Sequence, residues 1–149
     1  MDLLIIIITS ILGTTLTFYV SHELKQGAVR ASAILSLCVG LFFYFFPEVF
    51  NAYLTKNIQI VFIGSSFIGM VSPKVKSSYI RLSIASILFS IIYINKGDFF
   101  NGYGGLLGAL AFISLLTTLA FYDAIAKNAK TKKMLFALKK YLIKKSNVL

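Results

Sequence analysis

The sequence predicts an all-α integral membrane protein: five transmembrane helices built from tandem parallel helical hairpin repeats, followed by a basic amphipathic helix at the C-terminus. Three observations predict it. Apolar residues make up 58% of the chain and charged residues only 13%, where a soluble domain carries about a quarter charged. Lysines and arginines crowd alternate connections between the apolar runs. A phrase beginning at Gly13, "GTTLTFYVSHELK", returns at Gly64 as "GSSFIGMVSPKVK".

A helix needs roughly 20 apolar residues to cross about 30 Å of hydrocarbon. Five runs approach that length, at about 2–20, 27–46, 57–72, 78–95 and 99–122. The first starts Met-Asp-Leu-Leu with no base before Lys25, unlike the positive start of a cleaved signal, and is expected to stay as a span. The second ends in "LFFYFFP". The third is the shortest. Residues 1–126 are thus expected to form the membrane domain and 127–149 a basic cytoplasmic tail.

Basic residues in short loops are retained on the cytoplasmic side. Lys25 and Arg30 lie in the first connection, and Lys74, Lys76 and Arg81 in the third; eight lysines follow Asp123, whereas the second and fourth connections hold Lys56 and Lys96 alone. That alternation predicts an N-terminus outside, a C-terminus in the cytoplasm and residence in the plasma membrane. In the tail, Leu135, Leu138 and Leu142 fall at helical spacing with Lys133, Lys140 and Lys144 elsewhere on the wheel, the pattern of a helix lying on the inner leaflet, or alternatively docking to another protein. The net charge of +10 sits mostly beside spans, so anionic inner-leaflet lipid is the expected partner and nucleic acid is not.

At an offset of 51, Gly13 matches Gly64, Thr14 and Thr15 match Ser65 and Ser66, and Val20-Ser21 match Val71-Ser72, with the match extending through Lys25/Lys76, Arg30/Arg81 and Ser32/Ser83. The expected internal repeat is 13–32 and 64–83. A partial third echo, "TTLAFY" at Thr117–Tyr122 against "TTLTFY" at Thr14–Tyr19, opens no returning hairpin. Both full copies run in the same direction, which implies an axis along the membrane normal. The competing reading is that all basic membrane turns look somewhat alike.

Helices associate in lipid through close packing and hydrogen bonds, and small residues four apart permit close approach. Ser32, Ser36 and Gly40 form such a line in the second run, Ser65 and Gly69 with Gly64 beside them in the third, Ser86 and Ser90 in the fourth, Gly104 and Gly108 in the fifth. The glycine-rich stretch 101–105 also raises a non-helical entrance at the outer face, tolerated only where protein or water covers it. Phe42–Phe46, with Phe99, Phe100 and Tyr103, are expected to form an interfacial aromatic belt.

No chemistry-bearing constellation stands out, and the chain is not expected to be an enzyme or to hold a metal or cofactor. All five acids, Asp2, Glu23, Glu48, Asp98 and Asp123, fall at run ends or loops, which argues against proton coupling through the bilayer. His22 beside Glu23 has no nucleophile motif with it. The one cysteine, Cys38, is read as packing. What remains inside the membrane is a set of hydroxyls, Thr14, Thr15, Ser65, Ser66, Thr117 and Thr118. These can line a pathway without any titratable group, or simply bond to their own or a neighbouring helix. Lys25, Arg30, Lys76 and Arg81 would ring its cytoplasmic mouth. The expected function is a passive channel or facilitator for an ion or small solute, completed by homo-oligomerisation; the alternative is a non-conducting accessory or assembly subunit of a larger membrane complex.

Overall fold

A computed structural model describes residues 2–73, 78–95 and 105–146, with side chains as far as residue 127. Every regular element among them is an α-helix: α1 (Asp2–His22), α2 (Ala28–Phe45), α3 (Ala52–Gly69), α4 (Tyr79–Ile94) and α5 (Leu106–Ser146). Among the described residues, three segments are long and apolar enough to cross a membrane: Asp2–His22, Ala28–Phe45 and Leu106–Lys127. The chain divides into two compact units, 1–117 and 118–149.

The helix ends follow from local chemistry. α1 stops where Lys25 and Gly27 take left-handed backbone, φ 54° and 81°; the second of these suits a residue with no Cβ. α2 stops before Pro47, whose ring disfavours helical backbone in the residue ahead of it. α3 begins at Ala52, five residues before the apolar run at 57, because Asn51 caps it: the side-chain oxygen accepts from Leu54 N at 2.8 Å. Lys56 therefore lies within α3 instead of in the loop before it. Asn57 donates to Tyr53 O and accepts from Tyr93 OH at 2.8 Å, tying α3 to α4.

The largest departure is α5. A fifth span and a separate amphipathic tail helix were expected, yet one backbone helix of 41 residues covers both. No glycine or proline interrupts 109–146, and alanines and lysines, both strong helix formers, fill the join. The expected entrance at 101–105 and the aromatics Phe99, Phe100 and Tyr103 lie outside the described residues, except for Gly105.

Within the first unit, α1 and α3 form the centre, and α2 and α4 each pack against both. The central pair is parallel, because its contacts advance together along both helices: Gly13 with Phe62 and Ser65, Thr17 with Gly69, His22 with Val71. Leu110 and Ala111 of α5 join the same apolar core as Ile6, Val61, Ile68, Leu82 and Phe89.

Candidate functional site

The centre of the bundle is unusually polar for its depth. Ser10, Thr14, Thr17, Ser65, Ser66, Ser86, Ser90 and Ser114 are all fully buried. A buried hydroxyl without a partner costs a few kcal/mol at most, about 1–3 by mutational data, so where each proton goes decides what the cluster does.

The six hydroxyls singled out by the sequence divide into three kinds. Thr14 Oγ1 donates across the interface to Ser65 O at 2.9 Å, joining two residues 51 apart, the offset at which the two phrases match, and Ser65 Oγ donates to Phe62 O at 3.1 Å. Ser66 lies 2.7 Å from Ser32 Oγ and also donates to Ile63 O at 2.7 Å. With its single proton on Ile63, Ser66 accepts from Ser32, which brings α2 onto α3. Thr15 bonds back to Ile11 O of its own helix at 2.7 Å. Thr117 is exposed and Thr118 buried.

Residues outside that set extend the interface. Ser10 Oγ donates to Ser86 O at 3.0 Å, linking α1 to α4, and Ser86 and Ser90 bond to carbonyls one turn back. Ser10, Thr14, Thr17 and Ser21 recur at intervals of four, three and four, a legible helical stripe whose significance the repeat alone did not reveal. Thr17 Oγ1 and Ser36 Oγ are buried without a partner.

The small residues behave unequally. A Cβ on Gly69 would collide with Thr14 O and come within 2.8 Å of Thr17 Cβ, and one on Gly13 would collide with Ser65 Oγ. These are sites where α1 and α3 need the missing side chain. Gly64 instead seats the fully buried ring of Phe89. A Cβ on Gly40 or Gly108 would meet no neighbouring element within 4 Å among the described residues, and Gly104 lies outside the described residues. Ser32 is buried and Ser36 half-buried.

At the C-terminal ends of α1 and α3, His22 Nε2 donates to Val71 O at 2.9 Å, which places its proton on that nitrogen. Phe18 packs edge-on against both His22 and Tyr79, at 4.6 and 5.3 Å between ring centres. Lys25 and Arg30 are exposed and Arg81 is half-buried; Lys76 lies outside the described residues. At the other end Phe43 is buried while Phe42, Tyr44, Phe45 and Phe46 are exposed. An open apolar groove of about 330 Å³ runs between α1, α2 and α3, lined by Leu12, Leu16, Cys38, Phe42 and Phe62 among others.

The arrangement can therefore hold helices together by directional bonds at depth. No family model, no curated protein and no solved structure gives a significant match to the chain.

Proposed function

We propose that this chain is a non-conducting accessory or assembly subunit of the membrane, not a conduit. It crosses the bilayer five times as two parallel hairpins and a fifth helix, with the N-terminus outside and the C-terminus in the cytoplasm of a plasma membrane. One observation carries the functional choice: the first hydroxyl of each copied pair is buried in the α1–α3 interface, with Thr14 bonded to Ser65. A pathway needs oxygens free to replace an ion's or solute's hydration, whereas these bond protein to protein.

The repeat reading draws on the same contact. Parallel copies related by a two-fold axis bring equivalent residues together on that axis, and Thr14 with Ser65, like Phe18 with Gly69, are such equivalents. The five-span reading asks most of α4: its 16 residues rise about 24 Å at 1.5 Å each. In this orientation the first and third connections and the tail belong to the cytoplasmic side, where anionic inner-leaflet lipid is the partner that their basic composition favours.

Flux in liposomes carrying the purified chain, measured across a panel of ions and small solutes, tests the choice. No flux above protein-free vesicles is expected. A flux that Thr14→Val or Ser66→Ala alters would restore the channel reading. A reporter fused after Leu149 that appeared outside the cell would defeat the five-span topology.

A further inference from the structure

We infer that the chain binds a phospholipid whose headgroup ends in an ammonium group, with that headgroup at the turn after α2 and an acyl chain in the groove between α1, α2 and α3. The inference rests on the reading that this bundle lies in the bilayer, and it goes beyond the assembly role by naming a ligand.

Two concavities adjoin at the C-terminal end of α2. The first is the open groove of about 330 Å³, lined by Leu12, Leu16, Cys38, Val39, Phe42 and Phe62 among others. Thr9, which also lines it, gives its proton to Ile5 O at 2.8 Å. Such a surface matches a hydrocarbon chain and leaves a polar headgroup without a partner. The second concavity, of about 420 Å³, is formed by Phe45, Phe46, Pro47, Glu48 and Val49. Phe45 and Phe46 are 68% and 57% exposed, and Glu48 is exposed with them. The turn is held from two sides. The Phe43 and Phe50 rings lie 6.2 Å apart, and Thr55 Oγ1 of α3 lies 3.3 Å from Phe50 O and 3.4 Å from Pro47 O.

The second concavity selects the headgroup. Tyrosine and tryptophan suit the headgroup layer because they join an apolar ring to a polar tip. Phe45 and Phe46 have no such tip and stand instead beside a carboxylate. Ring faces and a carboxylate both attract a cation, so an ammonium group satisfies the two together, whereas a headgroup with negative charge alone is repelled by Glu48. The concavities adjoin through Phe42 and Phe46, whose rings lie 5.5 Å apart; Phe42 lines the groove and Phe46 the headgroup concavity. A molecule with a cationic headgroup group and a hydrocarbon chain uses both, which a soluble amine or a bare hydrocarbon would not. In the proposed orientation it belongs to the outer leaflet, opposite the side where the basic tail favours anionic lipid.

Native mass spectrometry of the full chain, extracted from vesicles of equimolar phosphatidylethanolamine and phosphatidylglycerol with the same acyl chains, tests the site. The unaltered chain is expected to retain phosphatidylethanolamine. Glu48→Gln, on an exposed turn, is expected to lower that retention severalfold and to leave phosphatidylglycerol, which the tail bases attract, undiminished. Cys38→Trp, which fills the groove and leaves the headgroup concavity alone, is expected to lower phosphatidylethanolamine retention as well, at unchanged helical content by circular dichroism. Retention of phosphatidylethanolamine that survives Glu48→Gln, or a fall in both lipids together, overturns the inference. Flotation of the chain with the same vesicles separates the two readings: a chain that floats but shows no Glu48-dependent retention sinks the lipid site and leaves the membrane reading standing, whereas a chain that does not float removes the membrane reading and the site with it.

Discussion

α1 and α3 carry nearly the same phrase, yet the two copies use it differently. Their first hydroxyls, Thr14 and Ser65, lie together in one interface. Their second hydroxyls part company: Ser66 takes a bond from Ser32 of α2, while Thr15 folds back onto Ile11 of its own helix. The glycines part too, since Gly13 lets α3 approach and Gly64 seats Phe89. At the position equivalent to Phe89 the first copy has Cys38, which is exposed beside an open groove. Matched residues thus meet at Thr14 and Ser65, and the matched positions diverge where α2 and α4 flank that contact.

Substitutions that break this comparison should rank by how much backbone or volume they disturb. Gly69→Leu should be the most damaging, because its side chain meets Thr14 O and Phe18 N, which are backbone and cannot swing aside. Overpacking typically costs about 1–3 kcal/mol and more where nothing yields. Little folded protein is expected in detergent, whereas Gly40→Leu, which meets open space, should leave the unfolding midpoint unchanged in the isolated chain. Folding yield by size-exclusion chromatography distinguishes them.

Next in size is the contrast between equivalent positions. Phe89→Ala empties the seat over Gly64 and should cost about 3–5 kcal/mol, the range for buried aromatic truncations. Cys38→Ala, at the matching site in the first copy, should change stability by less than about 0.5 kcal/mol, as exposed substitutions do. Equal effects at the two sites, measured by denaturant unfolding in micelles, would remove the asymmetry described here.

The hydroxyls come last. A double-mutant cycle on Ser32→Ala and Ser66→Ala should give a coupling of about 0.6 kcal/mol, the average for interhelical bonds in a membrane protein. Thr15→Ala, whose hydroxyl bonds only its own helix, should be nearly neutral. A Thr15 effect as large as the Ser66 effect would mean that the second hydroxyls are not used unequally.

Much of the architecture was legible because it rests on periodicity. The apolar runs locate the helices, and the stripe Ser10, Thr14, Thr17, Ser21 marks the buried face of α1 by spacing alone. The start of α3 was not legible from hydropathy, since Lys56 reads as loop until the cap at Asn51 is recognised. The unbroken α5 was in principle readable, as nothing between 109 and 146 stops a helix, but the change from apolar to basic composition looks like a boundary while the backbone has none. Least legible was the direction of each hydroxyl. Thr14 and Thr15 are adjacent and chemically identical, and only the 100° between neighbours on a helix sends one into the interface and the other to its flank.

The central claim is that the copied hydroxyls hold helices together. Thr14→Val tests it most directly, because valine keeps the shape and removes only the donor to Ser65 O. The expected result, by reversible unfolding in micelles or bilayers, is a loss of about 0.5–1.5 kcal/mol with the helical content intact. An unchanged stability would contradict the claim, all the more if the same variant altered the passage of an ion or solute through vesicles.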